Sequence, residues 1–305
     1  MKKWTVILCG MLVVQLVLAV VTHLSGEEYG AFKAEKKLLV FDVDTVDHLQ
    51  IDDGTNNVTL IKQAENWVLP EHNDFLADQR NVAQLLDKLV TMEKGWPVAT
   101  TPGAARRFKV AEDEFESKLT LLAENESLAQ LYIGTSPGLR KTHARNAGSD
   151  EVFAVVFNAW EASANSDDWI DKNILTFAAE DLMQVEMPDF ILQREDDELQ
   201  LTDLADQEEI NRQETHMLAN SLSGLQIDSL LDDEGKSEDL PDDADFTLKV
   251  TLGPDETLTY HFFKLNEEAY YLLKRSDFDD YLKIAEFHVN ALKETTRNKL
   301  LQTNV

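Results

Sequence analysis

His48-Leu-Gln-Ile51, Asp52-Asp-Gly-Thr-Asn-Asn57, Val58-Thr-Leu-Ile61: an alternating segment, a polar turn around Asp53-Gly54, and a second alternating, β-branched segment. Period-two alternation marks a strand with one buried face. Asp-Gly supplies the left-handed backbone that a tight hairpin needs. Trp67-Val-Leu69 reads as a third short strand, stopped by Pro70. A helix comes next: Asp78 is placed to cap it, Val82, Leu85, Leu86 and Leu89 fall on one face, and Gly95-Trp96-Pro97 ends it. Lys118-Leu-Thr-Leu-Leu122 and Leu128-Ala-Gln-Leu-Tyr-Ile133 then read as paired strands, and Asp150-Glu-Val-Phe-Ala-Val-Val156 as a further one.

The pattern then restarts. Leu182-Met-Gln-Val185 repeats the first strand, Phe190-Ile-Leu-Gln193 and Leu199-Gln-Leu201 the next two, and Ala205-Asp-Gln207 matches Ala77-Asp-Gln79 at the mouth of a second helix. In that helix Ile210, Met217 and Leu218 are the expected buried positions. Phe246-Thr-Leu-Lys-Val250, Leu258-Thr-Tyr-His-Phe-Phe263 and Ala269-Tyr-Tyr-Leu-Leu273 complete the second set. The offset is 134 residues from Gln50 to Gln184 and 129 from Leu119 to Leu248, nearly constant, as an internal duplication requires. Chance agreement of generic strand patterns is the competing explanation. A closing helix is expected from Ser276 and Asp279 through Phe278, Tyr281, Leu282, Ala285, Val289 and Leu292.

Runs of strands with single interspersed helices define an α+β class with mainly antiparallel sheets. The expected organisation is an N-terminal transmembrane helix followed by two tandem, diverged β-rich units with one or two helices each. The boundaries are a cytoplasmic tip and signal-anchor over 1–26, a stalk over 27–37, a first repeat over 38–165, a linker over 166–181 and a second repeat over 182–305.

The anchor rests on Trp4 to Val21, eighteen mostly apolar residues without a charge, preceded by Lys2-Lys3 and followed by Glu27-Glu28. That length crosses a bilayer as a helix, and the lysines hold the N-terminus in the cytoplasm. A cleaved secretory signal is the alternative, but its apolar core is usually shorter and no A-x-A site follows. The chain is therefore expected to cross a membrane once, with its N-terminus in the cytoplasm and its C-terminal region exported. The only cysteine, Cys9, lies inside the run, which excludes a disulfide framework and a cysteine-based zinc site.

The chain of 305 residues carries 57 Asp and Glu against 28 Lys and Arg, for a net charge of −29. Setting Lys2 and Lys3 aside, the exported part carries −31. Nucleic acid is excluded as a partner, because its recognition needs a basic footprint. An ectodomain held flat on anionic lipid is disfavoured for the same reason. The densest acidic stretch, 232–245, is broken by Gly and Pro, lacks the EF-hand spacing and reads as a solvated loop. One region reverses the sign. Between Lys94 and Arg145 the basic residues outnumber the acidic ones, and Arg106, Arg107, Arg140, Lys141 and Arg145 are the candidate partner-contact residues of two basic loops.

Gly134-Thr-Ser136-Pro137-Gly138 fits the G-x-S-x-G pattern of a nucleophile elbow. Pro137 has no N–H to donate to an oxyanion and no helix follows, so a turn is the better reading. The seven histidines show no metal-ligand spacing. No catalytic, cofactor-binding or metal-binding residue is read from the chain, and an enzyme is not expected. An exported module, periplasmic in a bacterium, binding carbohydrate or lipid through Trp67, Trp96 or Trp160 is the alternative function, with core packing the more ordinary role for each tryptophan.

Trp67-Val-Leu-Pro70, Ala77-Asp-Gln79 and Val82-Ala-Gln-Leu-Leu-Asp-Lys-Leu89 resemble the opening of the bacterial domain of unknown function 4340 family. Leu131-Tyr-Ile-Gly134, Val152-Phe-Ala-Val155 and Trp169-Ile-Asp-Lys-Asn-Ile-Leu175 are similar to its later segments, so the resemblance covers about residues 38–200. Arg107-Phe108-Lys109-Val110 departs from the Tyr-Gly-Leu-like step common there. The resemblance implies one N-terminal membrane helix, hence a single-pass protein of the bacterial inner membrane with its β-rich C-terminal region in the periplasm, and partners among the permease or accessory subunits of a gliding-motility-type ABC transporter. It brings no catalytic residues.

Overall fold

The computed structural model describes residues 36–231, 241, 243–254, 256–265 and 268–302, together with residues 4, 11–12 and 14–15. Most of the apolar run, most of the stalk 27–37 and most of the acidic stretch 232–245 thus lie outside the described residues. Among the described residues no helix is long and apolar enough to cross a membrane.

The first half of the chain forms β1 (Lys36–Lys37), β2 (His48–Asp52), β3 (Asn57–Gln63), β4 (Asn66–Leu69), β5 (Phe75–Leu76), helix α1 (Gln79–Thr91), β6 (Glu93–Lys94), β7 (Pro97–Ala99), helix α2 (Pro102–Arg107), β8 (Val110–Ala111), β9 (Glu114–Phe115), β10 (Ser117–Ala123), β11 (Glu126–Ile133), β12 (Thr142–Asn146) and β13 (Val152–Val155). The second half forms β14 (Leu182–Glu186), β15 (Ile191–Glu195), β16 (Glu198–Leu201), helix α3 (Arg212–Ser223), β17 (Ser229–Leu230), β18 (Phe246–Leu252), β19 (Glu256–Lys264), β20 (Tyr270–Arg275), β21 (Leu282–Ala285) and helix α4 (Glu286–Lys293). The fold is α+β, with antiparallel pairing throughout the ladders described here.

The two halves share one connectivity. Each begins with three strands, β2-β3-β4 or β14-β15-β16, passes through one long helix, and ends in a four-strand meander, β10 to β13 or β18 to β21. In both, the first strand lies beside the first strand of the meander, β2 beside β10 and β14 beside β18. In both, a short strand placed between helix and meander closes onto the last strand, β7 onto β13 and β17 onto β21. Shared strand order is a far stricter match than the few shared residues, because each pairing depends on contacts distant in the chain.

The turns explain part of what sequence reading found and missed. Gly54 has φ of +85° and its N–H donates to Asp52 Oδ1 at 2.7 Å, as the Asp-Gly signal implies. The β10–β11 hairpin turns through Glu124 and Asn125, and the β15–β16 hairpin through Asp196 and Asp197. All four residues are left-handed without a glycine among them. Asn and Asp tolerate that region because their short side chains bond locally.

The chain divides into two compact units. One comprises residues up to Val46, Gln50–Thr55 and Leu85–Ser163; the other comprises Asp47–Leu49, Asn56–Gln84 and Ala164–Val305. The first unit buries Ile51, Leu85, Leu86, Leu89, Leu119, Leu121, Leu131 and Ile133, which is the alternation of strands meeting the helical face read from the sequence. The second buries Trp169, Leu182, Val185, Leu192, Leu218, Leu222, Leu248, Val250, Tyr260 and Phe262. Residues 56–84 belong to the second unit through specific bonds. Asn73 Nδ2 donates to Asp280 Oδ1 at 2.8 Å, Phe75 meets Phe278 with ring centres 5.9 Å apart, and Asp78 N donates to Trp169 O at 2.7 Å. Segment 166–181 is no free tether: Trp169, Ile170 and Leu175 are buried in it. Burying a ring the size of Trp169 contributes about 2–3 kcal/mol.

Three expectations need correction. The second helix starts at Arg212, not at Ala205; Asn211 is its cap, its side chain accepting from Gln213 N and Glu214 N. Within it Met217 is exposed while Leu218 is buried. The closing helix runs only over Glu286–Lys293, and Leu282–Ala285 is strand β21, paired to β20. Leu282 fits either period, a helical face with Tyr281, Ala285 and Val289 or an alternating one with Ile284, and pairing with β20 decided for the strand.

Candidate functional site

The five basic residues singled out from sequence all lie in the first unit. Pro102 opens the short helix α2 at a position where its missing N–H costs nothing. Ala105 packs into a small core with Val110, Ala111, Tyr132 and Val152, while Arg106 and Arg107 stay exposed in the last turn. There they complement the partial negative charge of the helix end. Arg106 pairs with Asp113, and the Arg107 guanidinium lies 5.5 Å from the Phe108 ring centre.

Loop 134–141 joins β11 to β12. Gly134 N donates to His143 O and His143 N to Thr135 O, both at 2.9 Å, carrying the ladder past Ile133. Thr135 N donates to Phe108 O at 3.0 Å, and the Phe108 and His143 rings meet at 4.3 Å. The base of this loop is therefore fastened to the segment that follows α2, while at its tip Arg140 and Lys141 line a depression that includes neither Arg106 nor Arg107. At the tip, Gly138 and Lys141 form a bridge, and the Ser136 hydroxyl stands 2.8 Å from Gly138 O and 2.7 Å from Lys141 O. Ser136 thus serves the turn. Arg140 is left-handed, with φ of +58°.

The cations divide sharply. Arg145 is on strand β12, not in a loop, and is buried: Nε donates to Val110 O at 2.6 Å, one terminal nitrogen to Ser149 O at 3.1 Å, and the guanidinium stacks 4.6 Å from the Tyr132 ring centre. It fastens the unit internally and is corrected out of the contact set. Arg140 and Lys141 are exposed, and among the described residues neither head group has an ion-pair partner.

Arg140 and Lys141 line an open depression of about 200 Å³ with Ser136, Asn158, Glu116 and Trp160. Trp160 sits in the short turn Ala159–Ala162, whose capping box joins Asn158 and Glu161. Glu161 is tied to Lys88, and Glu116 stands 3.3 Å from Lys109 Nζ. Trp160 is 77% exposed, Trp96 is 74% exposed and Leu139 is 92% exposed, whereas Trp67 is buried. Core packing, expected for all three tryptophans, holds for Trp67 alone. Leu139 escaped sequence reading because one leucine between Gly138 and Arg140 has no periodic neighbours. Among the described residues no cluster of His, Cys, Asp and Glu is built to hold a metal ion.

An α+β chain of two like-connected halves, with short structural motifs and an exposed basic tip, is the class that fold and surface define. Over residues 67–245 the chain matches the family described as Domain of unknown function (DUF4340), and it belongs to that family. The match opens at Trp67, the first residue of the motif quoted above, and runs on through α3. No curated protein and no solved structure matches the chain.

Proposed function

We infer that the chain is a membrane-anchored accessory or scaffold protein of the bacterial inner membrane, its β-rich part in the periplasm, working beside an ABC-type transport system. The observation that carries this reading is the N-terminal run. Trp4, Met11, Leu12 and Val14 are helical and between 58% and 76% exposed, so these apolar side chains find little cover within the protein. Apolar residues in an uncharged run of eighteen are covered by lipid more economically than by water. Family membership supports the transporter, through the association that the resemblance implies. Both β-rich halves then serve as surfaces for subunits rather than as a reaction vessel.

Alkaline carbonate extraction of membranes, followed by protease treatment of spheroplasts, tests the anchor. The chain should stay in the membrane pellet and be degraded from outside. Recovery in the carbonate supernatant would remove the reading. Crosslinking in intact cells tests the partner: a permease or ATPase subunit should be captured, and capture of no transport subunit counts against the association.

The alternative, a carbohydrate- or lipid-binding module, draws on Trp160 at the rim of the depression. At about 200 Å³ that depression is below the roughly 300–1,000 Å³ usual for enclosed ligands. It suits a single small charged group better than a sugar ring system.

A further inference from the structure

We propose that the loop tip Leu139-Arg140-Lys141, with Trp160 beside it, docks on the head groups of anionic phospholipid at the membrane that anchors the chain; this rests on the anchor reading above. Three observations meet at this tip. Arg140 and Lys141 have no carboxylate partner among the described residues, on a chain of net charge −29. The acids beside the depression are already engaged, Glu116 by Lys109 and Glu161, next to Trp160, by Lys88, which leaves Arg140 and Lys141 unmatched there. Leu139 and Trp160, 92% and 77% exposed, adjoin the two cations. Cations beside an exposed leucine and an indole form the composition of a membrane-interface contact, in which apolar parts enter the head-group layer and charges meet phosphate.

The tip is also held in shape. Thr135 is bonded to Phe108, Ser136 lies across the turn, and Gly138 bridges Lys141, so little ordering is lost on contact. The depression of about 200 Å³ between Arg140, Lys141 and Trp160 has room for one phosphate-bearing head group. The net charge sets the limit of the contact. An acidic surface is repelled by an anionic leaflet, so the unit does not lie flat. Screening over about 8 Å at physiological salt isolates the tip from distant carboxylates. Each cation near such a leaflet strengthens association about fivefold, or about 25-fold for two. That is too little to hold a free protein, but it suffices for one already confined to the surface by an anchor.

The experiment uses the full chain in a Cys9→Ser background, with a single reporter cysteine from Gly138→Cys, where an added side chain meets nothing within 4 Å. A second version carries Leu128→Cys, near the opposite end of β11 from the loop. Both are labelled with an environment-sensitive dye and reconstituted into vesicles of phosphatidylcholine with about 30% phosphatidylglycerol and a head-group-level quencher lipid. The dye at position 138 should be quenched about threefold or more over that at 128. The excess should vanish in pure phosphatidylcholine, in about 1 M salt where screening shortens to about 3 Å, and in the Arg140→Glu, Lys141→Glu variant. Equal quenching at both positions, or an excess indifferent to charge reversal, overturns the docking while co-flotation with vesicles leaves the anchor standing. Failure to co-float overturns both. A dye shielded in native membranes but not in protein-free vesicles assigns the tip to a protein partner and overturns the lipid assignment.

Discussion

The side chain of Gln79 closes a ring of hydrogen bonds on Trp67: Trp67 N donates to Gln79 Oε1 at 2.7 Å, and Gln79 Nε2 donates to Trp67 O at 2.8 Å. The same Nε2 reaches Ala77 O at 2.8 Å. Two motifs, Trp67-Val-Leu-Pro70 and Ala77-Asp-Gln79, bonded through residues twelve apart, are thus one structural device joining β4 to the start of α1. Gln79→Ala leaves the Trp67 N–H without its partner and should cost about 1–2 kcal/mol. Urea unfolding followed by tryptophan fluorescence measures it, and an unchanged midpoint would refute the device.

Gly134 admits no side chain. A Cβ there would stand 2.1 Å from Phe108 O and 2.3 Å from Lys109 O, both backbone atoms of a segment held by Lys109 at φ of +54°. Gly134→Ala should destabilise the chain by about 2–4 kcal/mol and displace the loop 134–141. Gly138→Ala in the same loop meets open space and should stay within about 0.5 kcal/mol of the parent. Parallel denaturation curves of the two variants decide the matter; similar midpoints would mean that the close approach is not required.

Arg297 gathers the C-terminal segment onto the turn before α3. It reaches Glu208 at 2.6 Å and Asp203 at 3.0 Å, and its own N–H donates to Asp189 Oδ2 at 3.1 Å. The hydrogen bond from Arg297 holds the Glu208 carboxyl down at about 2 from an ordinary 4.5. A carboxyl lowered in the folded state stabilises fully above its unfolded value and loses that contribution as pH falls through its folded one. The difference in melting temperature between the parent and Glu208→Gln should therefore be constant above about pH 5 and shrink between about pH 4.5 and pH 2. A difference independent of pH over that window would show that the ion pair is not its source.

Arg275 is buried against Tyr260 and Phe278, its guanidinium 5.6 and 4.5 Å from their ring centres. It donates to both oxygens of Asp277 at 2.7 and 2.9 Å and to the Tyr260 hydroxyl at 3.3 Å. Burial pushes the Tyr260 phenol above its ordinary range, against the opposing pull of Arg275. The stability tied to the protonated phenol is complete below the unfolded value near 10 and is lost as pH rises beyond it. Arg275→Met keeps the stacking bulk but removes the donors and should cost about 2–3 kcal/mol. In an ultraviolet titration of the variant Tyr260 should ionise at still higher pH than in the parent, since the cation that favours phenolate is gone; a downward movement would contradict this account.

Local patterns were legible wherever one physical rule acted alone. Asp78 caps α1 as read, its Oδ1 accepting from Arg80 N at 3.0 Å and Asn81 N at 3.1 Å, and Val82, Leu85, Leu86 and Leu89 are all buried. Patterns failed where two rules overlapped. Leu282 fits a helical face with Tyr281, Ala285 and Val289 and an alternating one with Ile284, and Ala205-Asp-Gln207 copies a helix opening that Asn211 makes instead. The basic stretch was visible as composition. Nothing in composition separates Arg145, turned inward onto Val110 O, from Arg140, five residues earlier and open to solvent.

The alternating strand segments, the capped helix, the family motif and the excess of acid are written in the chain itself, because each follows from neighbours a few residues apart or from a simple count. Tertiary structure alone decided that both halves close their meanders with the short strand that precedes them, and that residues 56–84 join the second compact unit. It also decided which cations are free. A side chain's availability depends on what lies against it: Phe108 and Trp160 reach the basic loop, and Val110 reaches Arg145, from parts of the chain that local sequence does not place together.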